Sequence, residues 1–203
     1  MNIYIIWTIW ILSAYLIGAV PFGFLIGKSR GIDVRTVGSK NIGATNVYRT
    51  VGHKWGFLAF FCDFLKGFAP VFLCLSFSRE AWWTSDLPVW VGLAAVIGHT
   101  LTCFMKFKGG KGVATAFGML MALCPALVSI AFALFVVTVW LSHFISLGSC
   151  LAATFMAIGI WFDWPKEYVL PLKIVMTLLG VFIVYKHRSN IARIATGTEN
   201  KIY

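Results

Sequence analysis

Seven apolar stretches separated by shorter polar runs set the frame of this chain: Ile3–Ile26, Trp55–Phe77, Leu87–Met105, Val113–Cys124, Ala126–Leu141, Leu147–Phe162 and Val169–Tyr185. A helix needs about 20 residues, at about 1.5 Å each, to cross a hydrocarbon core about 30 Å thick. Most of the stretches approach that length. Val113–Cys124 falls short, because its helical rise is only about 18 Å. Turn signals at Cys124–Pro125, Ser142–Ser149 and Asp163–Glu167 divide the apolar C-terminal part of the chain into four pieces. The pattern predicts an all-α integral membrane protein, a seven-helix transmembrane bundle forming one domain over residues 1–203. Five crossings is the alternative. The first stretch carries no charge and exceeds the about 7–15 apolar residues of a signal peptide, so it is expected to stay as a membrane helix.

Composition agrees with this class. The chain is 60% hydrophobic and 12% charged, against about 25% charged in soluble domains. The net charge of +10 would suggest nucleic acid in a soluble protein. Here thirteen of the seventeen Lys and Arg lie in three polar islands, Gly27–Lys54, Lys106–Gly112 and Lys186–Tyr203. The loops Ser78–Asp86 and Asp163–Glu167 hold only Arg79 and Lys166, against four acids. Positive loops stay on the cytoplasmic side. The islands are therefore expected in the cytoplasm with the C-terminus, and the N-terminus outside. The same count places the Ser142–Ser149 turn on the cytoplasmic face. No nucleic-acid partner is expected. The five cysteines are scattered among apolar neighbours without metal-ligand spacing, and they read as buried, reduced thiols. Neither metal nor cofactor is expected.

The candidate chemistry lies in the islands. The first contains G-S-K-N-I-G-A-T-N-V-Y-R, Gly38 to Arg49. It offers Ser39, Asn41, Thr45 and Asn46 as donors, with Arg49 able to grip a phosphate bidentately. In a helix, Thr45 and Arg49 would share one face. The second island reads F-K-G-G-K-G-V-A-T, Phe107 to Thr115. Its glycines Gly109, Gly110 and Gly112 would let backbone N–H groups approach an anion. Lys108 and Lys111 add charge, and a helix is expected to begin just after. The P-loop pattern itself is absent. A basic turn on acidic lipid head groups is the alternative reading.

Asp63 and Lys66 stand three residues apart in an apolar stretch and are expected to pair there, because an unpaired charge in a membrane is costly. His187 and Asn190, in K-H-R-S-N, share a face if the last helix continues past Tyr185. His53 reads as surface, and His99 and His143 stay open. No His is followed five residues later by Asp, and there is no G-x-S-x-G elbow. The expected topology leaves only Asp33 and Glu199 as loop carboxylates on the cytoplasmic face, so a carboxylate base is poorly supplied. The site is predicted to handle anions.

The motifs G-S-K-N-I-G-A-T-N-V-Y-R, D-F-L-K-G, G-H-T-L-T-C-F-M-K-F-K-G-G-K-G-V-A-T, S-L-G-S and K-H-R-S-N-I-A-R, with Glu199 beyond them, together resemble the bacterial PlsY family. The likeness runs from about Leu16 to Tyr203. The family pattern has Gly where Lys40 stands and Pro where Thr102 stands.

The resemblance implies transfer of an acyl group from acyl-phosphate to glycerol 3-phosphate, giving lysophosphatidic acid and phosphate. It implies a monomer in the bacterial cytoplasmic membrane, with its site on the cytoplasmic face and membrane lipid around it. Ser39, Arg49, Lys111, His187 and Asn190 would be catalytic. Asn41, Thr45, Asn46, Lys108, Gly109, Gly110, Gly112 and Ser146 would bind substrate. Glu199, independently of the resemblance, lies beyond the expected helix end and is expected to act on stability more than on catalysis. A carrier for a phosphorylated solute is the rival from another class, but the basic residues crowd one expected face and no inverted repeat is visible.

Overall fold

The computed structural model describes residues 2–77, 80 and 84–202. Arg79, counted for the outer loop, lies outside the described residues. Among the described residues all regular structure is helical, in ten α-helices and two short 3₁₀ turns. Five segments are long and apolar enough to cross a membrane: Ile3–Ser29, His53–Ser76, Leu87–Met105, Pro125–Ser142 and Ile145–Phe162. A sixth is reached if Leu170–Lys186 and Arg188–Ala195, bent by 51°, count as one. Each of the seven expected stretches contains a helix. That of Val113–Leu123 has 11 residues, too few to cross a hydrocarbon core alone.

The residues form two compact units, Met1–Leu123 and Cys124–Tyr203. In the first, α1 (Ile3–Ala19) packs along α5 (Leu87–Thr100), and α4 (His53–Ser76) packs along α6 (Val113–Leu123). Between them in sequence lie α2 (Phe22–Ser29) and α3 (Ala44–Thr50). The first apolar stretch does not form one straight helix, because Pro21 has no N–H to continue it. The carbonyls freed at the end of α1 find new donors. Thr102 Oγ1 donates to the Ala19 carbonyl at 2.6 Å and Lys66 Nζ to the Val20 carbonyl at 2.8 Å. Thr102 thus ties the start of the 3₁₀ turn Cys103–Met105 to the end of α1. The α4–α6 contact is backbone-deep: a Cβ on Gly67 would run into the Thr115 carbonyl, and one on Gly118 into the Phe64 carbonyl. Small residues permit this approach, and close packing rather than hydrophobicity holds helices together in lipid.

The second unit packs α7 (Pro125–Ser142) on α8 (Ile145–Gly159), and α8 on α9 (Leu170–Lys186). His143 closes α7 in a left-handed conformation (φ 63°). The Ile202 N–H donates to its carbonyl at 2.9 Å, which ties down the tail. The chain does not continue straight past Tyr185. It bends at His187 into α10 (Arg188–Ala195), whose short amphipathic sequence follows a different direction. Of the cysteines, Cys74, Cys124 and Cys150 are buried as expected. Cys62 is half-buried and Cys103 is exposed, because the 3₁₀ turn holds Cys103 outward.

Candidate active site

The first polar island folds on a small core of its own. Val34, Ile42, Val47 and Ala59 are buried together, with Phe24, Ile32 and Trp55 packed around them. Ala59 belongs to α4, so this core seats the island on the early turns of that helix. Asn46, only 1% exposed, staples the loop from inside. Its Oδ1 accepts from the Ser39 N–H at 2.9 Å. Its Nδ2 donates to the carbonyls of Val34 (2.8 Å), Asn41 (2.9 Å) and Val37 (3.2 Å). Both Nδ2 hydrogens are thereby used, so the amide group of Asn46 shapes the loop and has no hydrogen left for a substrate. Asn41 accepts from the Gly43 N–H at 2.8 Å, a local turn that leads into α3.

Gly38 has φ 58°, and a Cβ there would strike Asn46 Oδ1. Lys40 also adopts φ 58°. It holds the left-handed backbone that the family pattern gives to glycine, which costs a residue with a Cβ about 1–2 kcal/mol. Ser39 is exposed; Thr45 and Arg49 are half-buried, one turn apart on α3 as their spacing predicts. Asp33 grips Arg35, with Nη2 to Oδ2 at 2.6 Å. The hydrogen bonds from Arg35 hold the Asp33 carboxyl down at about 2. A group so acidic is a weak proton acceptor.

The second island is cast against the last turn of α5, whose terminal carbonyls have no helical partners. The Gly110 N–H donates to the His99 carbonyl at 3.2 Å and the Gly109 N–H to the Thr100 carbonyl at 3.1 Å. This corrects one expectation: the amides of Gly109 and Gly110 are engaged by α5 rather than presented to an anion. Their lack of a side chain matters instead, because a Cβ on Gly109 would strike the His99 carbonyl and one on Gly110 the His99 ring. Gly112 follows with φ 83°, and α6 begins at Val113. Lys108 is exposed and Lys111 half-buried.

Beneath this loop lies a buried cluster. Lys66 Nζ sits 2.7 Å from Asp63 Oδ1, and His99 Nδ1 lies 3.6 Å from the same oxygen. The Asp63–Lys66 pair was legible from its spacing. His99 was not, since it comes from another helix. Ala59 underlies the first island and Asp63 faces the helix end that carries the second. α4 thus underlies the first island directly and, one helical turn on, braces through His99 the end of α5 that carries the second.

In the second unit, the buried carboxylate of Glu199 gathers three donors. Asn190 Nδ2 lies 2.6 Å and Ser146 Oγ 2.9 Å from Oε1, and Arg193 Nε lies 2.7 Å from Oε2. Burial would raise the carboxyl, but the bonds from Asn190, Arg193 and Ser146 outweigh it and hold it below the usual carboxylate range. The partnership of Ser146 and Asn190 with Glu199 had no local signal in the sequence. His187 is buried, with Nδ1 2.8 Å from the Ile183 carbonyl. That bond needs the proton on Nδ1, which leaves Nε2 as the basic nitrogen of the neutral ring. His187 and Asn190 stay linked across the bend, through the Asn190 N–H and the His187 carbonyl at 2.9 Å.

A helical fold with several spans apolar enough to cross a membrane, carrying basic glycine-rich loops, defines the class of integral membrane proteins. The model of the family described as glycerol-3-phosphate acyltransferase matches residues 8–197, and the chain belongs to that family. A glycerol-3-phosphate acyltransferase of Trichlorobacter lovleyi is 47% identical over 192 residues, 95% of each chain. One of Fusobacterium nucleatum is 41% identical, over 94% of this chain and 95% of its own. The fold also matches the crystal structure of PlsY (YgiH), an integral membrane glycerol 3-phosphate acyltransferase, in its glycerol 3-phosphate form. The TM-score is 0.87 and the identity 36%, over 96% of this chain and 94% of that one.

Proposed function

We propose that this protein is an acyl-phosphate:glycerol-3-phosphate acyltransferase acting as one domain in the bacterial cytoplasmic membrane. The observation that carries the reading is the family match over residues 8–197, which takes in every polar motif but Glu199. The reaction moves the acyl group of acyl-phosphate to the sn-1 hydroxyl of glycerol 3-phosphate, giving lysophosphatidic acid and inorganic phosphate. The basic loops suit two phosphorylated substrates. The charge bias of the loops supports seven passes, with the N-terminus outside and the islands in the cytoplasm. In that arrangement Val113–Leu123 is a short pass braced by α4. We take the working unit to be a monomer.

In the chemical step the sn-1 oxygen attacks the acyl carbonyl carbon, the bond from that carbon to the phosphate oxygen breaks, and phosphate leaves with the electron pair. The hydroxyl proton passes to a substrate phosphate or to His187 Nε2. Asp33 and Glu199 are held acidic by their partners, which supports a route without a carboxylate base. Ser39, Arg49 and Lys111 clamp phosphate, with Lys108 assisting. Asn41, Thr45 and Asn46 hold the first loop, and Gly109, Gly110 and Gly112 the second. Ser146, His187 and Asn190 orient glycerol 3-phosphate or the carbonyl. A donor aimed at the developing oxyanion is worth about 2.7–4 kcal/mol.

The test is phosphate release from acyl-phosphate by purified protein, dependent on glycerol 3-phosphate. Turnover lost in Arg49→Ala and Lys111→Ala supports the reading. Solute uptake into liposomes without turnover overturns it. A radiolabelled acyl group trapped on the protein and released by glycerol 3-phosphate would overturn direct transfer alone.

A further inference from the structure

The structure assigns His99 a positioning role: its imidazole, set over the Asp63–Lys66 pair, is a wedge that fixes how far the Gly109–Gly112 loop stands off α5. Four observations meet there. His99 is 5% exposed, and its Nδ1 faces the Asp63 carboxylate at 3.6 Å. Lys66 holds that carboxylate at 2.7 Å and is itself anchored on the Val20 carbonyl at 2.8 Å. The ring therefore rests on a charged brace that joins the end of α1 to α4.

The other edge of the ring faces the loop. A methyl group on Gly110 would strike Nε2 and lie 2.9 Å from Cε1 and 3.2 Å from Cδ2. Its three nearest neighbours are all atoms of the His99 side chain. Gly109 differs in kind: a methyl there would strike the His99 carbonyl and come within 2.8 Å of the Thr100 carbonyl carbon. Those are backbone atoms that no substitution of His99 removes. The same backbone segment accepts the N–H groups of Gly109 and Gly110, so the loop is fastened to α5 by main chain and spaced from it by the ring. Lys111 follows directly, and its position depends on that spacing. His99 touches no substrate in this role.

The inference rests on the loop's proposed part in binding phosphate, and a double-mutant cycle tests it apart from that reading. Initial rates of phosphate release are measured over ranges of acyl-phosphate and glycerol 3-phosphate. The proteins are the wild type, Gly110→Ala, His99→Ala, Gly110→Ala with His99→Ala, and Gly109→Ala in both backgrounds. A thermal unfolding curve accompanies each. Gly110→Ala is expected to raise KM for a phosphorylated substrate at least about tenfold while kcat changes less. Adding Gly110→Ala to His99→Ala is expected to change KM by less than about twofold, because the methyl now has room. Gly109→Ala is expected to remain defective in both backgrounds.

Should His99→Ala not be recovered folded, His99→Asn replaces it. That variant keeps a polar group over Asp63 while withdrawing the ring from Gly110. Equal defects of Gly110→Ala with and without the ring overturn the wedge. So does rescue of Gly109→Ala, or a Gly110→Ala enzyme with wild-type KM. An inactive, folded wild type overturns the proposed function instead.

Discussion

Asn46→Asp isolates the staple of the first loop with almost no change of shape. The new side chain keeps an oxygen that can accept from the Ser39 N–H, at 2.9 Å in the native structure. In place of the amide nitrogen it puts a second oxygen, 2.8–3.2 Å from three carbonyl oxygens. Two donated hydrogens are lost, about 0.5–1.5 kcal/mol each, and the buried Val34 carbonyl loses its partner at about 1–3 kcal/mol. The expected destabilisation is about 3 kcal/mol, which shifts the closed-to-open ratio of the loop by roughly two powers of ten. The effect has a pH signature. A carboxyl facing carbonyls binds a proton more readily folded than unfolded, so the deficit grows as pH rises and shrinks as pH falls through the raised folded value. Thermal unfolding in detergent from pH 4.5 to 8, with rates of phosphate release, measures both effects. An Asn46→Asp protein that melts with the wild type at pH 8 and keeps its KM would refute the staple.

Glu199→Gln sets an amide against at least one of the donors Asn190, Ser146 and Arg193. It is expected to cost about 1.5–3 kcal/mol and to lower the melting temperature more than kcat; a thermally normal but inactive protein would contradict this. The native carboxyl lies below its ordinary 4.5, so its stabilisation is complete above that pH and is lost as pH falls through the lowered folded value; the melting curves of the two proteins should converge in acid. Lys40→Gly relieves left-handed strain at φ 58° at the cost of a more flexible unfolded chain. A gain of about 0.5–1 kcal/mol is expected in chemical denaturation, and a loss of stability would show that the Lys40 side chain matters. Arg49→Lys keeps the charge but loses the planar fork; kcat/KM should fall at least about tenfold, and unchanged kinetics would exclude bidentate binding. Gly118→Leu drives a side chain into the Phe64 carbonyl and should abolish stable protein in detergent, whereas normal yield and melting would show that α6 is not seated on α4.

Hydropathy located every long helix, because runs of apolar residues need only local reading. It passed over the break at Pro21, although the proline itself was a signal, since the residues on both sides are equally oily. It ended the last apolar stretch at Tyr185 and left open whether the helix goes on; the chain turns there, by 51° at His187. The donors of the first island were legible as a set, but their division of labour was not. Asn46 and Ser39 look alike in sequence, yet Asn46 is buried and Ser39 exposed. Gly109 and Gly110 carried the signal of a close approach, and the sequence could not say whether a ligand or the end of α5 approaches. His99 and the donors around Glu199 depend on contacts between distant residues, which spacing along one chain cannot reveal.

The shortness of α6 bears on how the chain is assembled. A segment leaves the translocation channel for lipid when its summed transfer energy over about 20 residues is favourable. The 11 residues of Val113–Leu123 span about 16 Å and offer roughly half of that sum. What α6 has instead is a ready-made seat, the backbone groove of α4 at Phe64 and Gly67. In the proposed seven-pass arrangement its insertion would be a tertiary event: the earlier helix would already stand in the bilayer as a template, and the later one would dock onto it. The order of synthesis, α4 before α6, supplies the partner before it is needed.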